Sequence, residues 1–107
     1  PLVAHLAEAK AAGAEIRARA TVLRILPDGA GRAGGVVWAD GAGKQHVQRA
    51  AVVILAASAI QTPRLLLASA APEWPEGAGN ARGLVGKGLM VEAVAQAAGL
   101  FAEPMDN

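Results

Sequence analysis

The chain is 107 residues long, enough for one small domain with a modest core. Much of its 53% hydrophobic content is alanine, and Trp38, Trp74 and Phe101 are its only aromatics, so the apolar area available for burial is small. The formal net charge is +1, and the absence of cysteine excludes a disulfide framework, a thiolate nucleophile and a thiolate metal site.

The first periodic segment places Leu2, Val3, Leu6, Ala9 and Ala12 at helical spacing, with Gly13 where a C-terminal cap belongs. Ile16, Ala18, Ala20 and Val22 then alternate with Arg17, Arg19, Thr21 and Leu23, which predicts a half-buried strand running to about Leu26. The breaker cluster "PDGAGRAGG" follows, and after it "VVWADG" reads as a short strand ending in an Asp-Gly turn. "QHVQRA" alternates again and runs into "AVVILAA", a continuous apolar stretch with the look of a strand covered on both faces. In "SAIQTPRLLLAS", Thr62 is a good N-cap and Pro63 suits the first helical position, so "RLLLAS" is predicted as a short helix. Residues 70–82 are proline- and glycine-rich and read as a long irregular loop, and "GLVGKGLM" holds too many glycines for a regular element. The tail "VEAVAQAAGLF" fits an alanine-rich helix or a strand, and no internal repeat is evident.

Residues 29–35, "GAGRAGG", contain a literal G-x-G-x-x-G. That pattern cradles a pyrophosphate only between a strand and a helix, with an acidic residue about 20 positions further on. Here a strand follows where the helix is required, and nothing acidic occurs between Asp40 and Glu73. The stretch is therefore expected to be a loop between two strands, with glycine supplying positive φ and Arg32 exposed.

Charge is unevenly distributed. Seven cations and two acids fall between residues 17 and 64, whereas the acids prevail from Glu73 onward. The basic half suits a phosphate-bearing partner, but a solvated sheet face is the commoner explanation and stands ahead of it, and no aromatic-and-basic interleaving marks a nucleic-acid platform. The longest apolar run, residues 50–57, is far below the ~20 residues that span a bilayer. No targeting tract is visible, leaving cytoplasm and periplasm both open. Pro1 and the polar ending "MDN" read as cuts, so the chain is expected to be a piece of something larger. His5 and His46 are the only histidines, and solvent-facing structural roles are expected of both.

Read together, "GAEIRARATVLRI", "AAVVILAASAIQTPRLLLAS" and "NARGLVGKGLM" resemble the glucose–methanol–choline (GMC) flavoprotein oxidoreductases, and "GRAGGVVWAD" fits in the same order. The insert before "N-x-x-G-L-V-G" is similar to the sugar and sugar-acid dehydrogenase branch. The resemblance implies an α/β chain of mixed character, part of a Rossmann-like FAD-binding domain with a β-hairpin or meander insertion. Residues 1–90 would be its middle segment, and residues 91–107 the start of a substrate-domain segment or a disordered tail.

The implied cofactor is FAD, the implied reaction oxidation of an alcohol or sugar hydroxyl with hydride passing to the flavin, and the implied partner the remainder of the parent flavoprotein. "ATVLRI" resembles the strand whose backbone pairs with the adenine edge of FAD, which nominates Val22; a plain core valine is the rival reading. "AASA" resembles the small-residue turn that lets backbone approach the adenosine half, which nominates Ala56, Ala57 and Ser58; a tight turn with Ser58 satisfying the backbone is the rival there. In "GLVGKGLM", Lys87, Gly88 and Glu92 depart from the family's Arg, Asn and His, and Lys lacks the planar donor fork of Arg. No catalytic residue and no metal ligand is assigned to the chain. Without a pyrophosphate loop, FAD is expected to bind weakly or not at all. The alternative is a stand-alone small α/β interaction module without a cofactor; a nucleic-acid binder ranks lower.

Overall fold

A computed structural model describes residues 5–91 and Ala95. Its elements are helix α1 (Ala7–Ala11), strands β1 (Thr21–Pro27), β2 (Ala33–Ala39) and β3 (Gln45–Arg49), and helix α2 (Ser58–Leu67). The strands form one antiparallel meander in the order β1-β2-β3. The mixed character expected of the chain is therefore present.

Helix α1 ends as its glycine predicts. Gly13 has φ +93°, its N–H bonds Lys10 O and the Ala14 N–H bonds Ala9 O, the paired bonds of a Schellman cap. The following strand is shorter than the alternation implies. Thr21 pairs with Ala39, the last residue of β2, so residues 14–20 have no ladder partner. Arg19 at φ +54° also turns the chain out of extension, and Ile16 is exposed.

Beyond Val22 the ladder shifts register and resumes at Arg24↔Val37, Ile25↔Val36 and Leu26↔Gly35. Because side chains alternate across a strand, Ile25 and Val36 share one face while Val37 lies on the other. The first face meets α2. Ile25, Leu65 and Ala78 form the buried cluster, with Val22, Ala33, Leu55, Leu66 and Trp74 packed around it.

Helix α2 starts one turn before the Thr-Pro signal. Ala57 is its N-cap and Pro63 lies inside it, so Thr62 is not the cap. Proline removes only the bond to the Ala59 carbonyl there, while Leu65 and Leu66 are held by the core. Ser58 opens the helix at φ +74°, and its Oγ lies 3.5 Å from the Gln61 N–H, a long contact.

The largest departure is residues 51–57, which join no ladder. Val53 and Leu55 are half-buried, while Val52 and Ile54 are 73% and 85% exposed. The expectation of a strand covered on both faces is corrected: one side only is covered. The sheet keeps an open edge at β1 and another at β3, and this segment pairs along neither.

Residues 70–82 form the irregular loop expected. It is held by Trp74 Nε1 donating to Gly31 O at 2.9 Å and by buried Asn80, whose side chain donates to Glu76 O and accepts from the Val85 N–H. The tail from residue 92 onward, including Glu92, lies outside the described residues apart from Ala95.

Candidate functional site

The glycine-rich stretch leads from β1 into β2, as its neighbours predict, and two of its amide donors, those of Ala30 and Arg32, are already taken. Asp28 Oδ1 accepts from the N–H groups of Ala30 (2.8 Å) and Arg32 (3.1 Å), and Asp28 Oδ2 accepts from Arg32 Nε at 2.8 Å. A carboxylate of the chain thus occupies the position an anionic ligand would need. The β2–β3 loop repeats the device. Asp40 Oδ1 accepts from Ala42 and Lys44 N–H, and Asp40 N–H donates to Lys44 O just as Asp28 N–H donates to Arg32 O. The two loops share the pattern D-G-A-G-[RK], at 28–32 and 40–44, with Gly31 and Gly43 at φ +79° and +81°. That short repeat corrects the reading that the chain has none.

Both carboxyls sit below their ordinary value of 3.8, Asp28 chiefly through the Ala30 N–H and Arg32, Asp40 chiefly through the His46 bond. A carboxyl depressed in the folded chain contributes stability above its unfolded value, and that contribution disappears as pH falls through the folded one. Both loops should therefore loosen only below pH 3.8. The Ala42 and Lys44 amide resonances should titrate there, and Asp40→Asn, which keeps the Oδ1 acceptor but not the charge, should abolish that titration. A midpoint at or above 3.8 would contradict the assignment.

His46 has partners that its sequence context did not reveal. Its Nε2 lies 2.8 Å from Asp40 Oδ2, and its ring stacks on Trp38 with centroids 4.5 Å apart. Arg17, paired with Glu15, sits over the Trp38 ring at 4.7 Å. This half-buried histidine is thus fixed between an aspartate and an indole across β2 and β3. His5 is exposed. Among the described residues no three His, Cys, Asp or Glu side chains are placed to hold a metal ion, and no helix is long and apolar enough to cross a membrane.

Three of the four nominated residues meet. Val22, Ala56 and Ala57 line one predominantly apolar cleft of about 370 Å³, together with Val36, residues 52–55 and Leu65. Val22 comes from β1, which has a neighbouring strand on one side only. Ala56 and Ala57 come from the turn into α2 and present nothing beyond Cβ. Ser58 does not line this cleft; its hydroxyl faces the Gln61 N–H. Lys87 and Gly88 are exposed and line a different groove, against α2.

The cleft lies over one face of the sheet, where Val22 of β1 meets Val36 of β2 and Gln48 of β3, and the alanines of the turn permit close approach of a flat group there. Reading residue types missed Ser69 and Asn80, the two buried polar side chains that hold α2 and the long loop in place.

Residues 2–94 match the profile of the family described as GMC oxidoreductase. The chain is 43% identical over 91 residues to 2-methyl-1,2-propanediol dehydrogenase of Mycolicibacterium austroafricanum, covering 84% of this chain and 16% of that protein. It is 38% identical over 78 residues to 6'''-hydroxyparomomycin C oxidase of Streptomyces lividus (72% and 14% covered). With paromamine 6'-oxidase of Streptomyces fradiae the identity is 34% over 90 residues (83% and 17% covered). The chain thus spans about one sixth of the length of these relatives.

Proposed function

Because the chain belongs to the GMC oxidoreductase family, we propose that residues 1–90 form the middle segment of a Rossmann-like FAD-binding domain, with residues 91–107 leading toward the substrate domain. Its contribution is scaffold and an adenosine-side contact. The observation that carries this reading is the convergence of Val22, Ala56 and Ala57 on one cleft.

The residues fit the group in two respects: alanine at both turn positions leaves room for close approach, and Val22, Val36 and Leu65 give a flat ring an apolar floor. Ser58 enters the proposal as the residue that starts α2 behind the turn. FAD, when bound, supplies the hydride acceptor for oxidation of a CH–OH group of an alcohol or sugar. That substrate class is in keeping with the names of the relatives, a propanediol dehydrogenase and two oxidases. The remainder of the flavoprotein is the partner this reading implies. No catalytic base is assigned to this chain: His46 is engaged by Asp40 and Trp38, and His5 does not line the cleft.

The test follows from which half of the cofactor meets protein. A ligand that binds only the folded state raises the melting temperature. AMP and FAD should stabilise the chain to a similar extent, by a few degrees at saturation, whereas FMN, the flavin half alone, should not. Stabilisation by FMN would place the contact on the wrong half. No response to either adenosine ligand would favour a cofactor-free interaction module or a segment too incomplete to bind the cofactor by itself.

A further inference from the structure

Ser69 is the most deeply buried polar side chain among the described residues, at 1% exposure, and lies just past the end of α2. Its Oγ accepts the Ile25 N–H at 2.8 Å and donates to Leu65 O at 2.6 Å. One hydroxyl therefore joins the backbone of β1 to the last turn of α2. Among the described residues no other hydrogen bond links β1 to α2 or its C-terminal turn.

The two elements it joins both contribute to the cleft. Leu65, whose carbonyl receives the Ser69 proton, also lines the cleft with its side chain. Val22 lies three residues before Ile25, across the register shift in β1. That shift interrupts the ladder between Val22 and Arg24, so β2 holds this stretch of β1 less regularly than the rest. The remaining contact between β1 and α2 is apolar packing: Ile25 clusters with Leu65, Val22 packs against that cluster, and Val22 and Leu65 line the same cleft. Such packing is non-directional and does not by itself fix one strand position.

We propose that Ser69 is a positioning residue for the cleft of Val22, Ala56 and Ala57, its hydroxyl setting the separation between β1 and α2 at which the cleft accepts an adenosine. The proposal rests on the adenosine reading of that cleft. A hydroxyl suits the position because it donates and accepts at once. Alanine would leave the buried Ile25 N–H and the Leu65 carbonyl without their shared partner.

The experiment is titration of the ¹⁵N-labelled chain with AMP, followed at the Val22, Ala56 and Ala57 amides. Ser69→Ala is expected to weaken AMP binding by about tenfold, since unmaking a buried hydrogen bond is worth about the 1.4 kcal/mol that a tenfold change represents. Ser69→Thr, which retains the hydroxyl, should stay within about threefold of the wild type by the same measure. The control is Val37→Ala, a buried position on the opposite sheet face that does not line the cleft. It should lower the melting temperature and leave AMP affinity unchanged. Equal AMP affinity in Ser69→Ala and wild type overturns the proposal, as does an equal loss in Val37→Ala. If the wild-type chain shows no AMP response, the adenosine reading fails separately. The clasp is then decided by nuclear Overhauser contacts between the Val22 and Leu65 methyls: their loss in Ser69→Ala supports it, and their retention overturns it.

Discussion

Gly35→Ala is expected to unfold the meander at room temperature. Gly35 is buried in β2 at φ +152°, paired with Leu26 on one side and Arg49 on the other. A Cβ there would meet the Gln48 carbonyl oxygen, with Arg49 Cα at 3.0 Å and Gln48 C at 3.2 Å. All three atoms are backbone, so no rotamer change relieves the clash and β3 itself must move. Strained φ costs about 1–3 kcal/mol for a side-chain-bearing residue, and overpacking costs a further ~1–3 kcal/mol. A chain of this size has total stability of roughly 5–15 kcal/mol at most, and among the described residues its largest buried hydrophobics are Ile25, Val37 and Leu65. Gly29→Ala separates the two contributions, because Gly29 has φ +87° and nothing within 4 Å of its would-be Cβ. That variant should lose about 1 kcal/mol from backbone strain alone. Far-UV circular dichroism melts decide it: Gly35→Ala should show no cooperative transition above 25 °C or one far below that of Gly29→Ala. Coincident melts would mean that β3 is not held against β2 as described.

The contrast between these two glycines also marks how far residue patterns reach in this chain. The loop around Gly29 was legible because its neighbours, the alternating run that ends in "VLRI" and the short strand "VVWAD" with its Asp-Gly turn, leave no place for a helix. The cap at Gly13 was legible for a similar local reason: the helical period stops there, and glycine is the residue that bends left-handed without cost. Patterns that depend on distant partners were not. Alternation through Ile16, Ala18 and Ala20 states that a strand would be amphipathic, but β2 ends at Ala39 and pairs with nothing before Thr21. The apolar run at 51–57 states that burial is favourable without naming what does the burying, and within this chain only Val53 and Leu55 find cover. Thr62-Pro63 is a sound start signal that lost to a turn supplied by Ala57 and Ser58. Ser69 follows a run of leucines and reads as the fading end of a helix; its partner Ile25 is 44 residues away. The candidate site shows the same division. Resemblance brought out Val22, Ala56 and Ala57, and the fold alone shows that they share a cleft while Ser58 stands apart.

That sharing makes the second strong expectation possible: Ala57→Phe should eliminate adenosine binding and leave the fold intact. Ala57 is exposed, precedes the first residue of α2, and has φ −100°, a conformation open to any L-residue. No buried neighbour is displaced by enlarging it, so the melting temperature should move by no more than a surface substitution allows, about 0.5 kcal/mol in stability. Its side chain nevertheless borders a cleft of only about 370 Å³. A phenyl group there would take the space next to Ala56 and Val22 that the ligand requires, and an apolar ring offers nothing in exchange for the strand's backbone groups. Saturable AMP-induced shifts at Val22 and Ala56 should vanish, a loss of at least roughly a hundredfold if two or more contacts of ~1.4 kcal/mol each are removed. Ala57→Gly should bind nearly as wild type, since it enlarges the space instead of filling it. If Ala57→Phe still titrates with AMP as the wild type does, the turn into α2 is not a wall of the nucleotide site. Val22 would then revert to the simpler role of a half-buried valine packed against Leu65.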